Sequence, residues 1–287
     1  MNELKRRIMT SAMAIVFLCI FIPFSTYPAF KPVFVAMIAA LAAMGVWEFY
    51  QMAKLKGFQP MARTGVVFTV IFIFSTLVSS NYYDYTYLPS VVLGVAFLAF
   101  ILKQFHGIES AIVNISTSVF GLLYVAVPMS CLVCITYFFL PEQYYDGRWW
   151  LVYLIVVTKM SDVGGFFIGK WIGSHKLAKK LSPKKTWEGS IGGIIFSVAA
   201  SLILYYLAQS KPVSPLNITL IQALWLGVLI AIFGQVGDVA ESLFKRDAKI
   251  KDSGHNLPGM GGVLDLLDAI LFTAPLLLFF LKSGILG

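Results

Sequence analysis

Apolar residues run along this chain in stretches too long for the interior of a water-soluble domain. Stretches long enough to cross a bilayer as helices fall at about 9–27, 33–52, 65–80, 88–102, 112–140, 149–168, 190–209, 218–237 and 264–283. They predict an all-α integral membrane protein with about nine transmembrane helices. The third and fourth stretches are short, and Pro128 stands where it can kink the long fifth. No connection is long enough to hold a soluble domain, so residues 1–287 read as a single polytopic membrane domain. Within it, residues 1–150 are plain membrane scaffold whose spans hold one acid, Glu48, whereas the polar residues of 151–287 are dense and positioned.

Composition agrees with this pattern: 59% of residues are hydrophobic, 13% are charged, and the mean hydropathy is +0.82. Cations fix the expected orientation, since loops on the cytoplasmic side carry excess Lys and Arg. With the N-terminus (Lys5, Arg6, Arg7) in the cytoplasm, 17 Lys and Arg lie inside and four outside, with Lys159 left in a span. The C-terminus then lies outside. Outer connections are aromatic instead, with Tyr82, Tyr85, Tyr87, Trp149 and Trp150 suited to the headgroup level. The net charge of +8 is therefore mostly topological. It points to membrane lipids and anionic small molecules as partners and away from nucleic acid. Cys131 and Cys134 form a C-x-x-C inside an apolar span with no second pair, which reads as packing.

Two inner connections carry most of the chemistry. In KMSDVGGFFIGK, Lys159 and Asp162 share a helix face at a spacing of three, with Ser161 beside them. A structural ion pair and a residue lining a catalytic cavity are both open readings of Asp162. In SPKKTWEG, Ser182 or Thr186 can cap a helix that begins near Glu188. Lys184 and Lys185 beside that helix start make a triphosphate cradle, although the glycine and lysine spacing is not that of a P-loop. The three glycines that follow, Gly189, Gly192 and Gly193, add weight to a functional reading over a merely positive inner loop.

In GQVGDVAESLFKR, Asp238, Glu241, Ser242 and Lys245 fall on one helix face. The segment continues through Arg246, Lys251, His255 and a glycine turn at Gly261 and Gly262 into a span opened by Asp265 and Asp268. A charge centred in lipid costs about 2.5–3.5 kcal/mol, so acids at a span's mouth mark a site. Asp238 and Asp265, with Asp268 in support, are expected to hold Mg²⁺, whose octahedron phosphate oxygens complete. A glycine loop feeding a helix N-terminus also lets a phosphate approach the backbone. His255 either donates to a phosphate, acts as a general acid or packs the loop.

SLFKRDAKIKDSGHNLPGMGGVLDLLD, residues 242–268, resembles the C-terminal signature of the phosphatidate cytidylyltransferases, or CDP-diacylglycerol synthases. GQVGDVAESLFKR, SPKKTWEG and the SDVGG segment match that family in order and spacing. Met260 and Leu266 stand where the family's commoner pattern has histidine and arginine, so no role needing those side chains carries over. The resemblance implies Mg²⁺-dependent transfer of CMP from CTP to phosphatidic acid, with Asp238 and Asp265 as metal carboxylates. The short N-terminus points to a bacterial inner membrane, with an organellar one left open, and the cation distribution puts the expected active site on the cytoplasmic face; a homodimer is left open. A CTP-dependent kinase of a lipid alcohol, or a lipid transporter or flippase, are the rival readings.

Overall fold

The computed structural model describes residues 20–105, 107, 109–137, 146–211, 215–254 and 261–286. Residues 20–24 are helical, and eight longer helices follow. These are α1 (Lys31–Leu55), α2 (Ala62–Asn81), α3 (Leu88–Gln104), α4 (Ala111–Thr136), α5 (Gly147–Ile172), α6 (Trp187–Gln209), α7 (Leu220–Asp247) and α8 (Val263–Lys282). Seven of the described helices are long and apolar enough to cross a membrane, and the chain is an integral membrane protein. The exception is α3: its 17 residues reach about 25 Å at 1.5 Å each, short of a hydrocarbon layer about 30 Å thick. The expected first span, 9–27, lies mostly outside the described residues. Pro128 sits within α4, which continues past it to Thr136.

The expected all-α fold needs one correction. Lys176–Ala178 (β1) and Ser182–Thr186 (β2) form an antiparallel ribbon between α5 and α6. A 3.6-residue periodicity search passes over strands this short, and the lysine-rich composition disguises them.

The helices form two compact units, one drawn from Met1–Tyr137 and Phe244–Leu267, the other from Phe138–Leu243 and Asp268–Gly287. The packing boundary near residue 138 thus lies close to the expected division at 150, but residues 244–267 return to the first unit. There, Tyr50 lies flat across Gly65 of α2 and Gly121 of α4, where any Cβ would strike its ring, and its hydroxyl donates to the Ser118 carbonyl at 2.6 Å. Phe72, Ala96, Phe100, Leu122 and Ala126 pack beside it as a buried cluster.

The second unit is built on glycine. Gly164, Gly165 and Gly169 on α5 face the start of α6 at Gly189, Gly192 and Gly193 so closely that a Cβ on Gly164 would collide with Phe196 and one on Gly192 with Ile168. Small residues let helix backbones approach in a bilayer, where no hydrophobic effect drives helices together. The glycines after Glu188 are thereby explained by packing. Hydroxyls tie the helices further: Tyr153 and Ser201 meet at 2.5 Å, Ser201 donates to the Ala223 carbonyl at 2.6 Å and Ser197 to that of Gly227 at 2.8 Å.

Replacing Gly192 by Val is expected to wedge α5 from α6 and lower stability by about 1–3 kcal/mol. Unfolding of the purified protein in mixed micelles measures this, and wild-type stability would contradict the close packing.

Candidate active site

In the second unit, α6 starts where Thr186 leaves the ribbon and accepts a hydrogen bond from Gly189 N at 3.2 Å, so Thr186 is the N-cap expected of it. Ser182 begins β2 instead. Alternation along the strand then separates the two lysines expected to act together. Lys184 is exposed, whereas Lys185 is partly buried and its Nζ lies 2.6 Å from Asp238 Oδ2 on α7. Glu188 is occupied locally: it accepts from Ser174 N at 3.1 Å and His175 N at 3.2 Å, and its Oε1 lies 2.5 Å from His175 Nδ1. It fastens the entry of the ribbon to the first turn of α6.

Asp238 has company. Asp162 of α5 and Asp268 of α8 stand within electrostatic reach of it and of each other, with Lys159 and Lys185 as counter-ions. Lys159 Nζ meets Asp162 Oδ2 at 3.4 Å, and the Asp162 side chain is 42% exposed. Asp268 is buried and accepts from Ala269 N at 2.6 Å. Gly237 allows this convergence, because a Cβ there would strike the Asp268 carbonyl. Next to these groups, the Gln235 side chain donates to the Ser190 carbonyl at 3.0 Å and accepts from the Ser190 hydroxyl, with Ser161 Oγ at 3.4 Å from its amide nitrogen. Neither Gln235 nor Ser190 was singled out by sequence. Polar residues inside apolar spans were the available signal.

In the first unit, α7 ends with Lys249 at φ +57°, while Ile250 N donates to the Lys245 carbonyl at 2.9 Å and Lys249 N to that of Arg246 at 3.1 Å. This paired termination reverses the chain at a position that glycine usually fills. Arg246 donates to the Ile250 carbonyl at 3.0 Å, bracing the reversal, and Lys251 is exposed. Lys245 turns inward: its Nζ lies 2.6 Å from Asp265 Oδ1, and the two side chains are 11% and 12% exposed. The other oxygen of Asp265 accepts from Ser253 N and Oγ, both at 2.9 Å, and from Gly262 N at 2.7 Å.

Glu48, read as a lone acid of the scaffold, belongs to the same cluster. It is buried in α1 and accepts from Ser253 Oγ at 3.0 Å, Val263 N at 3.0 Å and Leu264 N at 2.8 Å. The free N–H groups at the start of α8, expected to receive a phosphate, are therefore taken up by two carboxylates of the protein itself. Gly261 is required there by its φ of +97° and by Asp265, which crowds any Cβ. Gly262 is required because Ser253 and Glu48 fill the space a side chain would need. Ser242 is buried on α7, while His255 and Met260 lie outside the described residues.

The donor set suits a hard dication. In the second unit three carboxyl groups stand within electrostatic reach of one another and of two ammonium groups. Among the described residues no three Asp, Glu, His or Cys side chains already close into a ligand set. Mg²⁺ requires no such cage, because it usually takes one or two carboxylates and fills its remaining positions with water and phosphate. Asp238 and Asp265, the expected metal pair, fall in different units. Asp265 has both oxygens engaged, so a metal ion would first have to displace Lys245 or the backbone donors.

Helices that cross a bilayer and carry lysine-paired carboxylates define an integral membrane protein with charged clusters among its spans. Residues 5–283 match the cytidylyltransferase family, and the chain belongs to it. Its relatives include the phosphatidate cytidylyltransferases of Chlamydia muridarum (31% identity over 96% of this chain and 92% of the relative) and Chlamydia pneumoniae (30% over 98% and 92%). That of Bacillus subtilis is 31% identical over 98% of both chains.

Lys245→Met would leave Asp265 charged and buried without its cation, at an expected cost of about 3–5 kcal/mol. Denaturant unfolding of the micellar protein reads the loss. Unchanged stability would mean that the pair is not buried in the folded state.

Proposed function

We propose that this protein is a phosphatidate cytidylyltransferase, moving CMP from CTP to phosphatidic acid to form CDP-diacylglycerol and pyrophosphate. Membership of the family along nearly the whole chain supports the activity. The observation that carries the chemistry is the convergence of Asp162, Asp238 and Asp268 on Lys159 and Lys185. A phosphate oxygen of phosphatidate attacks the α-phosphorus of CTP, forming one P–O bond as the α–β anhydride bond breaks and pyrophosphate departs. The nucleophile already carries negative charge near pH 7, its second pKa being about 6 by analogy with protein phosphoesters, so little base catalysis is needed. The obstacle is repulsion between two polyanions, which is met by positioning and by fixed positive charge.

Lys185 and Lys245 are held ready by carboxylates and can turn to phosphate oxygens when substrate arrives. Exposed Lys184, Arg246 and Lys251 raise the local concentration of nucleotide and anionic headgroup. Asp238, with Asp268 beside it, is the better-placed holder of Mg²⁺, and Asp265 organises Lys245. Bound there, Mg²⁺ neutralises and orients phosphate oxygens. The acyl chains stay in the bilayer. With the N-terminus cytoplasmic, as the lysine and arginine distribution implies, the site faces the cytoplasm of a bacterial inner membrane, where CTP is available.

Purified protein given labelled CTP, phosphatidic acid and Mg²⁺ is expected to release pyrophosphate and form a liponucleotide, and chelation of the metal to stop it. Asp238→Asn should lower turnover by roughly 10²–10³-fold while the protein still inserts and purifies normally. Release of CDP in place of pyrophosphate would identify a kinase and overturn the assignment.

A further inference from the structure

We infer that Glu48 is a positioning residue for the transfer reaction, acting on Lys245 and Asp265 through Ser253 and the backbone that opens α8. This rests on the activity proposed above. Glu48 is the one charged residue of α1 between Lys31 and Lys54, yet it is 2% exposed and meets residues more than 200 positions away in the chain. A carboxylate in so apolar a helix is costly unless hydrogen-bonded, and Ser253, Val263 and Leu264 are among its donors. One carboxylate oxygen receives Val263 N; the other receives Leu264 N and the Ser253 hydroxyl. A Cβ on either Gly254 or Gly262 would run into Glu48, so the backbone at these two positions lies against this carboxylate.

Ser253 provides the link. Its Oγ lies 3.0 Å from Glu48 Oε2 and 2.9 Å from Asp265 Oδ2. A hydroxyl has one proton, so the two carboxylates share a single donor and the placement of one depends on the other. Asp265 in turn holds Lys245 at 2.6 Å. The series Glu48, Ser253, Asp265, Lys245 therefore runs without a gap from the scaffold to a cation suited to phosphate. Geometry errors of about 1 Å at such a distance from the chemistry can cost about 10²-fold in rate.

Glu48→Gln is the informative variant. Whichever way the amide turns, its NH₂ replaces an oxygen that accepted a backbone N–H, and a donor is left facing a donor. In the full-length protein in nanodiscs, kcat is expected to fall about 10–100-fold with the KM for CTP little changed. Amide hydrogen exchange should quicken at Ser253, Gly262, Val263 and Leu264 while the other helices keep their protection. Adding Ser253→Ala should cause no further loss, because both changes cut the same series. Wild-type kcat in Glu48→Gln, additive losses in the double variant, or exchange quickened throughout the chain would each overturn the proposal. If Glu48→Gln does not fold, Ser253→Ala alone decides: a kcat loss with exchange confined to residues 250–267 supports the link, and wild-type behaviour overturns it. A wild-type protein that makes no liponucleotide refutes the activity, while the exchange measurements still decide the clamp.

Discussion

A carboxylate held in an apolar helix must find its hydrogen-bond donors within the protein, because the bilayer supplies none. Much of the first unit follows from that requirement at Glu48. Donors from a segment more than 200 residues downstream close on it, and they include the N–H groups that α8 would otherwise leave unpaired at its start. The same contact explains why the loop is rich in glycine: side chains at Gly254 and Gly262 would occupy the space the carboxylate fills. A glycine turn before a helix suggests a phosphate cradle when seen in sequence. Here it is a seat for two of the protein's own anions.

The second unit meets the same constraint with lysines. Asp162, Asp238 and Asp268 come from three helices, and their charges are offset by Lys159 within α5 and Lys185 from the ribbon. The ribbon is what delivers Lys185. Its strand alternation turns this lysine inward and Lys184 outward, while Glu188 and the Thr186 cap fix where the strand meets α6. Glycines at the end of α5 make room: a Cβ on Gly169, or on Gly173 just past the helix, would press on Thr186. Packing of small residues and placement of charge are thus one arrangement.

Such clusters suit a reaction whose difficulty is charge. Lysines paired with carboxylates are desolvated and oriented before any substrate arrives, so little reorganisation is left for the reaction itself.

Membrane character, the long apolar helices and a cap at the start of α6 were legible in the sequence, because hydropathy and capping act over a few neighbouring residues. Lys245 and Asp265, both marked as site residues, do lie together in one cluster. Three things were not legible. The ribbon is too short to show a period. The separation of Lys184 from Lys185 depends on the strand. The role of Glu48 depends on donors brought to it from the other end of the chain. Local chemistry told which residues are polar against the odds, and the tertiary structure alone decided which of them face one another. A buried charge selects its partner by distance in space, and sequence separation carries no information about that distance.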